Sequence, residues 1–227
     1  MSSKEVTIVA IDGPSGVGKS TVGRAVAKIL GIPYVDTGAM YRAVGLASKR
    51  AGIALPISDP EAVIRLGEAI RIDLRPDPEL GVRVLLDGEE VTSSIRDPEI
   101  SMYASAVSAI PRIRRMLVAR QQEIGREAGG VLEGRDIGTV VFPETPHKFF
   151  LTASPAVRAD RRVGDLRARG SQPEPARILA EQEARDLADS TREDSPLICD
   201  ERYQSIDTSK MTIEEVIQSI LDRVQAK

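Results

Sequence analysis

The chain of 227 residues has one cysteine, Cys199, one histidine, His147, and no asparagine. A single cysteine excludes an intrachain disulfide, so a reducing compartment is the expectation. The lone histidine offers no Ser-His or Cys-His constellation, so Cys199 reads as a buried filler rather than a nucleophile. His147 lies in Pro143-Glu144-Thr145-Pro146-His147, a turn pattern, and is expected to face solvent. Without asparagine the chain cannot carry the N-K-x-D element by which GTP-responsive switches recognise guanine, which argues against a regulatory switch. No apolar run approaches membrane-spanning length. Met1-Ser2-Ser3-Lys4-Glu5 leads into a strand too short for a targeting h-region, so a cytoplasmic location without membrane association is expected. The net charge of -3 gives no support for a nucleic-acid polymer as partner, although a small anionic ligand needs only a few placed arginines.

What the chain does have is Gly13-Pro14-Ser15-Gly16-Val17-Gly18-Lys19-Ser20-Thr21. The apolar run Val6–Ile11 precedes it. After it comes a helical pattern with Val22, Ala25, Val26, Ile29 and Leu30 on one face. In this strand-turn-helix setting G-x-x-x-x-G-K-[ST] is a phosphate-binding loop. Its glycines let backbone N–H groups converge on an anion, and the helix N-terminus adds partial positive charge. Lys19 is expected to reach the β- and γ-phosphates of a nucleoside triphosphate, with the Ser20 hydroxyl on a Mg²⁺ ion. The loop alone does not say what receives the phosphate.

Gly31 is a good helix C-cap, and Ile32–Asp36 reads as a second short strand. Thr37-Gly38-Ala39-Met40-Tyr41-Arg42 then opens a helix. Ligands of open α/β sheets gather beyond the carboxyl ends of strands, which makes Asp36, Thr37, Tyr41 and Arg42 pocket candidates; a capped helix start with an exposed arginine explains the same residues equally well. After a helix at Glu61–Ile70, strands at Ile70–Leu74 and Val82–Leu86 flank a turn-rich Arg75–Gly81, and Asp87-Gly88 signals a hairpin. This reads as a small antiparallel sheet inserted into a parallel α/β chain. Asp97–Ala128 is helical with a break at Pro111, and brings Ser105, Arg112, Arg114, Arg115 and Arg120 into one region. A short buried strand ends at Gly134-Arg135-Asp136, and Lys148–Ala153 is a further strand. Residues Ala156–Arg192 form two charged helices around the polar loop Arg169–Pro175. Most of those charges belong to a solvated face, but Arg158, Arg161, Arg162, Arg185 and Arg192 suit a lid closing on a transferring phosphoryl group. A last strand, Tyr203–Asp207, and a helix with a capping-box start at Thr212-Ile213-Glu214-Glu215 complete the chain. Phosphoryl transfer to another phosphate needs charge neutralisation, alignment and exclusion of water more than a protein base, which is what these parts supply.

From its first strand to its last helix the chain resembles the bacterial cytidylate kinase family of nucleoside monophosphate kinases. The resemblance is carried by Ile11–Thr21, Asp36–Arg42, Ile110–Arg114, Glu133–Pro143 and Arg185–Arg192. It implies an α/β phosphate-loop fold: a parallel five-stranded sheet flanked by helices, an inserted small antiparallel sheet and a helical lid. The implied single domain has its core in 1–36, 106–155 and 196–227, its acceptor region with the insert in 37–105, and its lid in 156–192. The resemblance further implies phosphorylation of CMP and dCMP by ATP with Mg²⁺, in a monomer. It places Ser105, Arg114 and Asp136 at the cytosine base, and Arg42, Arg135 and Arg192 at the acceptor phosphate. Arg185 and Asp189 fall at the sugar, Tyr41 packs against the nucleotide, and Thr37 stands where serine is common. Arg158, Arg161 and Arg162 match lid arginines; Lys19, Arg135, Arg161 and Arg192 make up the implied catalytic set, while Gly13–Thr21 and Arg158 hold the donor. Glu133 stands where aspartate is frequent, which leaves its part open between Mg²⁺-bound water and loop anchoring. A kinase for another acceptor, such as shikimate, fits the insert and the Gly-Arg-Asp segment less well.

Overall fold

The computed structural model describes residues 6–77, 81–168 and 170–226. Met1–Glu5, Pro78, Glu79 and Leu80 of the turn-rich segment, and Arg169 of the loop between the charged helices lie outside the described residues. Strands and helices are interspersed along the chain. They are β1 (Ile8–Asp12), α1 (Lys19–Leu30), β2 (Tyr34–Asp36), α2 (Thr37–Arg50), α3 (Pro60–Ala69), β3 (Ile72–Asp77), β4 (Gly81–Leu86), β5 (Glu89–Glu90), α4 (Pro98–Ser108), α5 (Pro111–Ala128), β6 (Gly130–Gly134), β7 (His147–Thr152), α6 (Pro155–Ala168), α7 (Pro175–Thr191), β8 (Gln204–Asp207) and α8 (Ile213–Gln225). Helices between the successive strands of the five-stranded sheet mark an α/β fold. The main sheet is parallel, in the order β2-β6-β1-β7-β8, with Val9–Asp12 opposite His147–Phe150 and Phe149–Thr152 opposite Gln204–Asp207. All five residues of β1 and all five of β6 are buried, as central strands covered on both faces require. No helix among the described residues is long and apolar enough to cross a membrane.

The described residues divide into two compact units, Ile32–Leu132 with Val6 and Thr7, and Ile8–Gly31 with the chain from Glu133 onward. In the first, α2 packs along α4, and Met40, Val44, Val63, Val107 and Ile113 close one apolar cluster. Each such side chain contributes roughly 1.5–3 kcal/mol on full burial. A second cluster joins Ala39, Ala43 and Leu46 of α2 to Val84 and Leu86 of β4, which seats the antiparallel sheet β3-β4-β5. The expected turn beginning at Arg75 is corrected: β3 continues through Pro76 to Asp77, opposite Gly81. Proline lacks a ladder donor, but β3 is an edge strand, where that loss is tolerated. The Asp87-Gly88 hairpin is as expected, with φ of 50° and 85° at the two turn residues.

In the second unit α1 packs against α8, whose start carries the full capping box between Thr212 and Glu215. Gly31 ends α1 in the left-handed conformation, with its N–H on the carbonyls of Ala27 and Lys28. Ala159, Val163, Leu166 and Ile178 join α6 to α7. Three expectations are corrected here. Ile29 is exposed, because the buried stripe of α1 runs through Val22, Gly23, Val26 and Ala27. Cys199 is exposed, in an irregular segment before β8. His147 is the half-buried first residue of β7, with its imidazole pushed toward the neutral form by burial and by Arg223. One element had no counterpart in the sequence reading: Ile137–Val141 winds into a π-helical turn directly after Arg135-Asp136.

Candidate functional site

The loop between β1 and α1 is shaped by three glycines with φ of 142°, 82° and 95° at Gly13, Gly16 and Gly18. At Gly13 a Cβ would stand 2.2 Å from the Leu151 carbonyl oxygen, so only glycine lets the loop leave the sheet this closely. The Lys19 ammonium donates to the carbonyls of Gly13 at 2.8 Å and Pro14 at 2.7 Å. Burial first, then the Arg135 guanidinium, push its pKa down to about 7. The Ser20 hydroxyl donates to Glu133 Oε1 at 2.6 Å, so the end of β6 is tied to the first turn of α1. A hydroxyl beside a buried carboxylate is a hard-oxygen donor set that fits Mg²⁺.

Arginines and acids of the same unit converge around Asp189. Its Oδ2 accepts from Arg135 Nε at 2.8 Å and its Oδ1 from Arg192 Nη1 at 3.4 Å. Burial works to raise this carboxyl, but Arg135 and Arg185 outweigh it and hold it below the usual carboxylate range. Arg192 also donates to the Ser195 carbonyl, and Arg185 acts electrostatically on both Lys19 and Asp189. The expected lid arginines are tied to the loop itself. Arg158, buried, donates to the carbonyls of Ser15 and Ala153 and pairs with Asp186 at 2.6 Å. Arg161 reaches the carbonyl and hydroxyl of Thr208 and the Gly16 carbonyl. Gln182 of α7 closes this contact with a bond to the Arg158 carbonyl. Arg162 is half-buried on the same helix. Asp136 is buried at the start of the π-helical turn.

The first unit holds the remaining residues. Asp36 caps α2 through the Ala39 N–H at 3.0 Å and binds Arg42 at 2.6 Å, so Arg42 is held over Gly38 and is not the exposed arginine of the alternative reading. Thr37 is buried beside it. Arg114, at the start of α5, is only 2% exposed; its guanidinium lies 5.4 Å from the centre of the Tyr41 ring and donates to the Ser108 carbonyl. Ser105 is half-buried on α4. Two residues escaped the sequence reading: Asp12, whose signal is an acid at the carboxyl end of a strand, and Tyr203, which had none.

A strand, a glycine loop with an inward lysine, a Ser–Glu pair at the helix start and a cluster of arginines define a phosphate-loop kinase. The family model described as "Cytidylate kinase" matches residues 9–226. A cytidylate kinase of Pelotomaculum thermopropionicum is 45% identical over 96% of this chain and 96% of its own, and one of Mycobacterium leprae 47% identical over 97% and 96%. Among solved structures, an uncharacterised protein of Eubacterium ventriosum shares the fold, with a TM-score of 0.53 at 12% identity over 98% of this chain and 100% of its own. The chain belongs to the cytidylate kinase family, and is thereby a phosphotransferase.

Proposed function

We propose that the protein transfers the γ-phosphoryl group of ATP to CMP and dCMP, giving CDP and dCDP, with Mg²⁺. The observation that carries this reading is the buried Lys19 beside Ser20–Glu133 in one unit that also carries Arg135 and Arg192. The loop N–H groups and Lys19 bind the donor phosphates. Ser20 and Glu133 would hold a Mg²⁺ ion, which when bound would supply neutralisation of the donor phosphate charge. Arg135 and Arg192 neutralise the acceptor phosphate, and Asp189 keeps their guanidinium planes fixed before substrate arrives, so little reorganisation is left for the reaction. Asp136, Ser105 and Arg114 offer the acceptors and donors that a cytosine edge requires, with Tyr41 as packing surface and Arg42 and Thr37 toward the phosphate. Residues 37–105 then act as acceptor region and 156–192 as lid, in a monomeric cytoplasmic enzyme without a nucleic-acid partner.

The acceptor phosphate already carries a nucleophilic oxygen at neutral pH, so no side chain of this chain is required to remove a proton. A panel of monophosphates assayed by ADP release tests the reading. CMP and dCMP should turn over far faster than UMP, AMP or GMP. Equal turnover of all five would overturn base selection and leave the kinase assignment standing.

A further inference from the structure

Asp12, the last residue of β1, is fully buried and accepts three hydrogen bonds: from the backbone N–H groups of Ile137 at 3.0 Å and Gly138 at 2.9 Å, and from the Tyr203 hydroxyl at 2.7 Å. On one side it adjoins Gly13, whose carbonyl accepts the Lys19 ammonium. On the other, its two N–H donors come immediately after Arg135-Asp136. The phenol is itself fixed: Tyr203 is buried and its ring meets Phe150 edge-on at 5.8 Å. Gly138 leaves room for it, since a Cβ there would lie 2.7 Å from the hydroxyl. We propose that Asp12 and Tyr203 are a positioning pair that holds the Arg135-Asp136 turn in fixed register with the phosphate loop.

The pair acts through the residues it holds and not by contact with nucleotide. It rests on the reading of Arg135 as a grip on the acceptor phosphate. A buried carboxylate costs free energy that a neutral side chain at a strand end would not, and such costs gather at functional sites. Burial raises the Asp12 pKa to about 6, against the lowering effect of its three hydrogen bonds, so protonation just below neutrality takes the charge off the acceptor and weakens its hold on the turn. The charged and titratable groups around it are Lys19 from α1, Asp136 from the turn and Tyr203 ahead of β8; the Lys148 ammonium of β7 is engaged on the Pro143 carbonyl.

The test is steady-state kinetics on the full chain with Tyr203→Phe and Asp12→Asn. Tyr203→Phe keeps the ring packing and should remain folded by thermal melt. Its KM for ATP should be unchanged while kcat drops about tenfold, and the acid limb of kcat should move to higher pH because a bond that lowered the Asp12 pKa is gone. CMP itself titrates near pH 6, so only the displacement between the two proteins is diagnostic. Asp12→Asn should lower kcat and leave only the acid limb that CMP itself sets; should it not fold, Tyr203→Phe alone decides. A folded Tyr203→Phe protein with parental kcat and an unmoved limb overturns the proposal. Arg135→Ala, run in parallel, should raise the KM for CMP. If it does and Tyr203→Phe is silent, the positioning pair fails alone, whereas an unchanged KM in Arg135→Ala removes the reading of Arg135 on which the pair depends.

Discussion

Lys19 is the residue on which folding and function pull in opposite directions. An ammonium buried against the loop carbonyls, with Arg135 close by, has its pKa lowered from 10.5 to about 7. The unfolded chain therefore holds the extra proton between pH 7 and 10.5, so stability rises with pH across that window and the full penalty stands below pH 7. Donor phosphates reverse the balance by supplying negative charge, so binding at pH 8 should take up a proton, seen as a dependence of the calorimetric enthalpy on buffer ionisation heat. Lys19→Met should melt at a higher temperature than the parent at pH 7 without nucleotide. Its turnover should nonetheless be lower by orders of magnitude, because the lost interaction strengthens in the transition state. Parental turnover in this variant would show that the loop does not act on phosphate.

At the scale of elements, α8 offers the cleanest test of local coding. Thr212 accepts from the Glu215 N–H at 3.2 Å, and the Glu215 carboxylate accepts in turn from the Thr212 N–H at 2.8 Å, both exposed and far from the phosphate loop in sequence. Thr212→Ala should lower stability by about 1 kcal/mol, read as a shift in urea midpoint with unchanged m-value, and leave kcat alone. The same local chemistry made the phosphate loop, the Pro111 break, the Asp87-Gly88 hairpin and the Gly31 cap legible from sequence. What stayed illegible was set by distant partners. Ile137-Gly138-Thr139-Val140-Val141 has no helical apolar period, and its π-helical turn depends on Asp12, more than a hundred residues earlier in sequence. Pro76 reads as a turn until β4 is known to lie on only one side of β3. The exposure of Cys199 and the placement of His147 at a strand start depend likewise on the packing around them and not on their own chemistry.

At the scale of the whole molecule, a net charge of -3 conceals where the positive groups are. Lys19, Arg114 and Arg158 are all buried and Arg135 is held against Asp189, so composition understates the positive charge that each unit holds inside. Arg114 separates the two kinds of recognition such a field can perform. It lies in the unit without the phosphate loop, packed over Tyr41 and donating to the Ser108 carbonyl, and its proposed task is to read a base edge. Arg114→Met retains the aliphatic stem that fills the space while removing the donors. A site built to pair with polar base atoms loses discrimination steeply when those partners vanish, because the substrate's polar groups are then left unmatched. The ratio of kcat/KM for CMP over UMP should fall by about one to two orders of magnitude, with the KM for ATP within about twofold of the parent. A change confined to the KM for ATP would instead assign Arg114 to the donor. Loss of CMP and UMP turnover in equal proportion would assign it to binding the phosphate or sugar that the two substrates share.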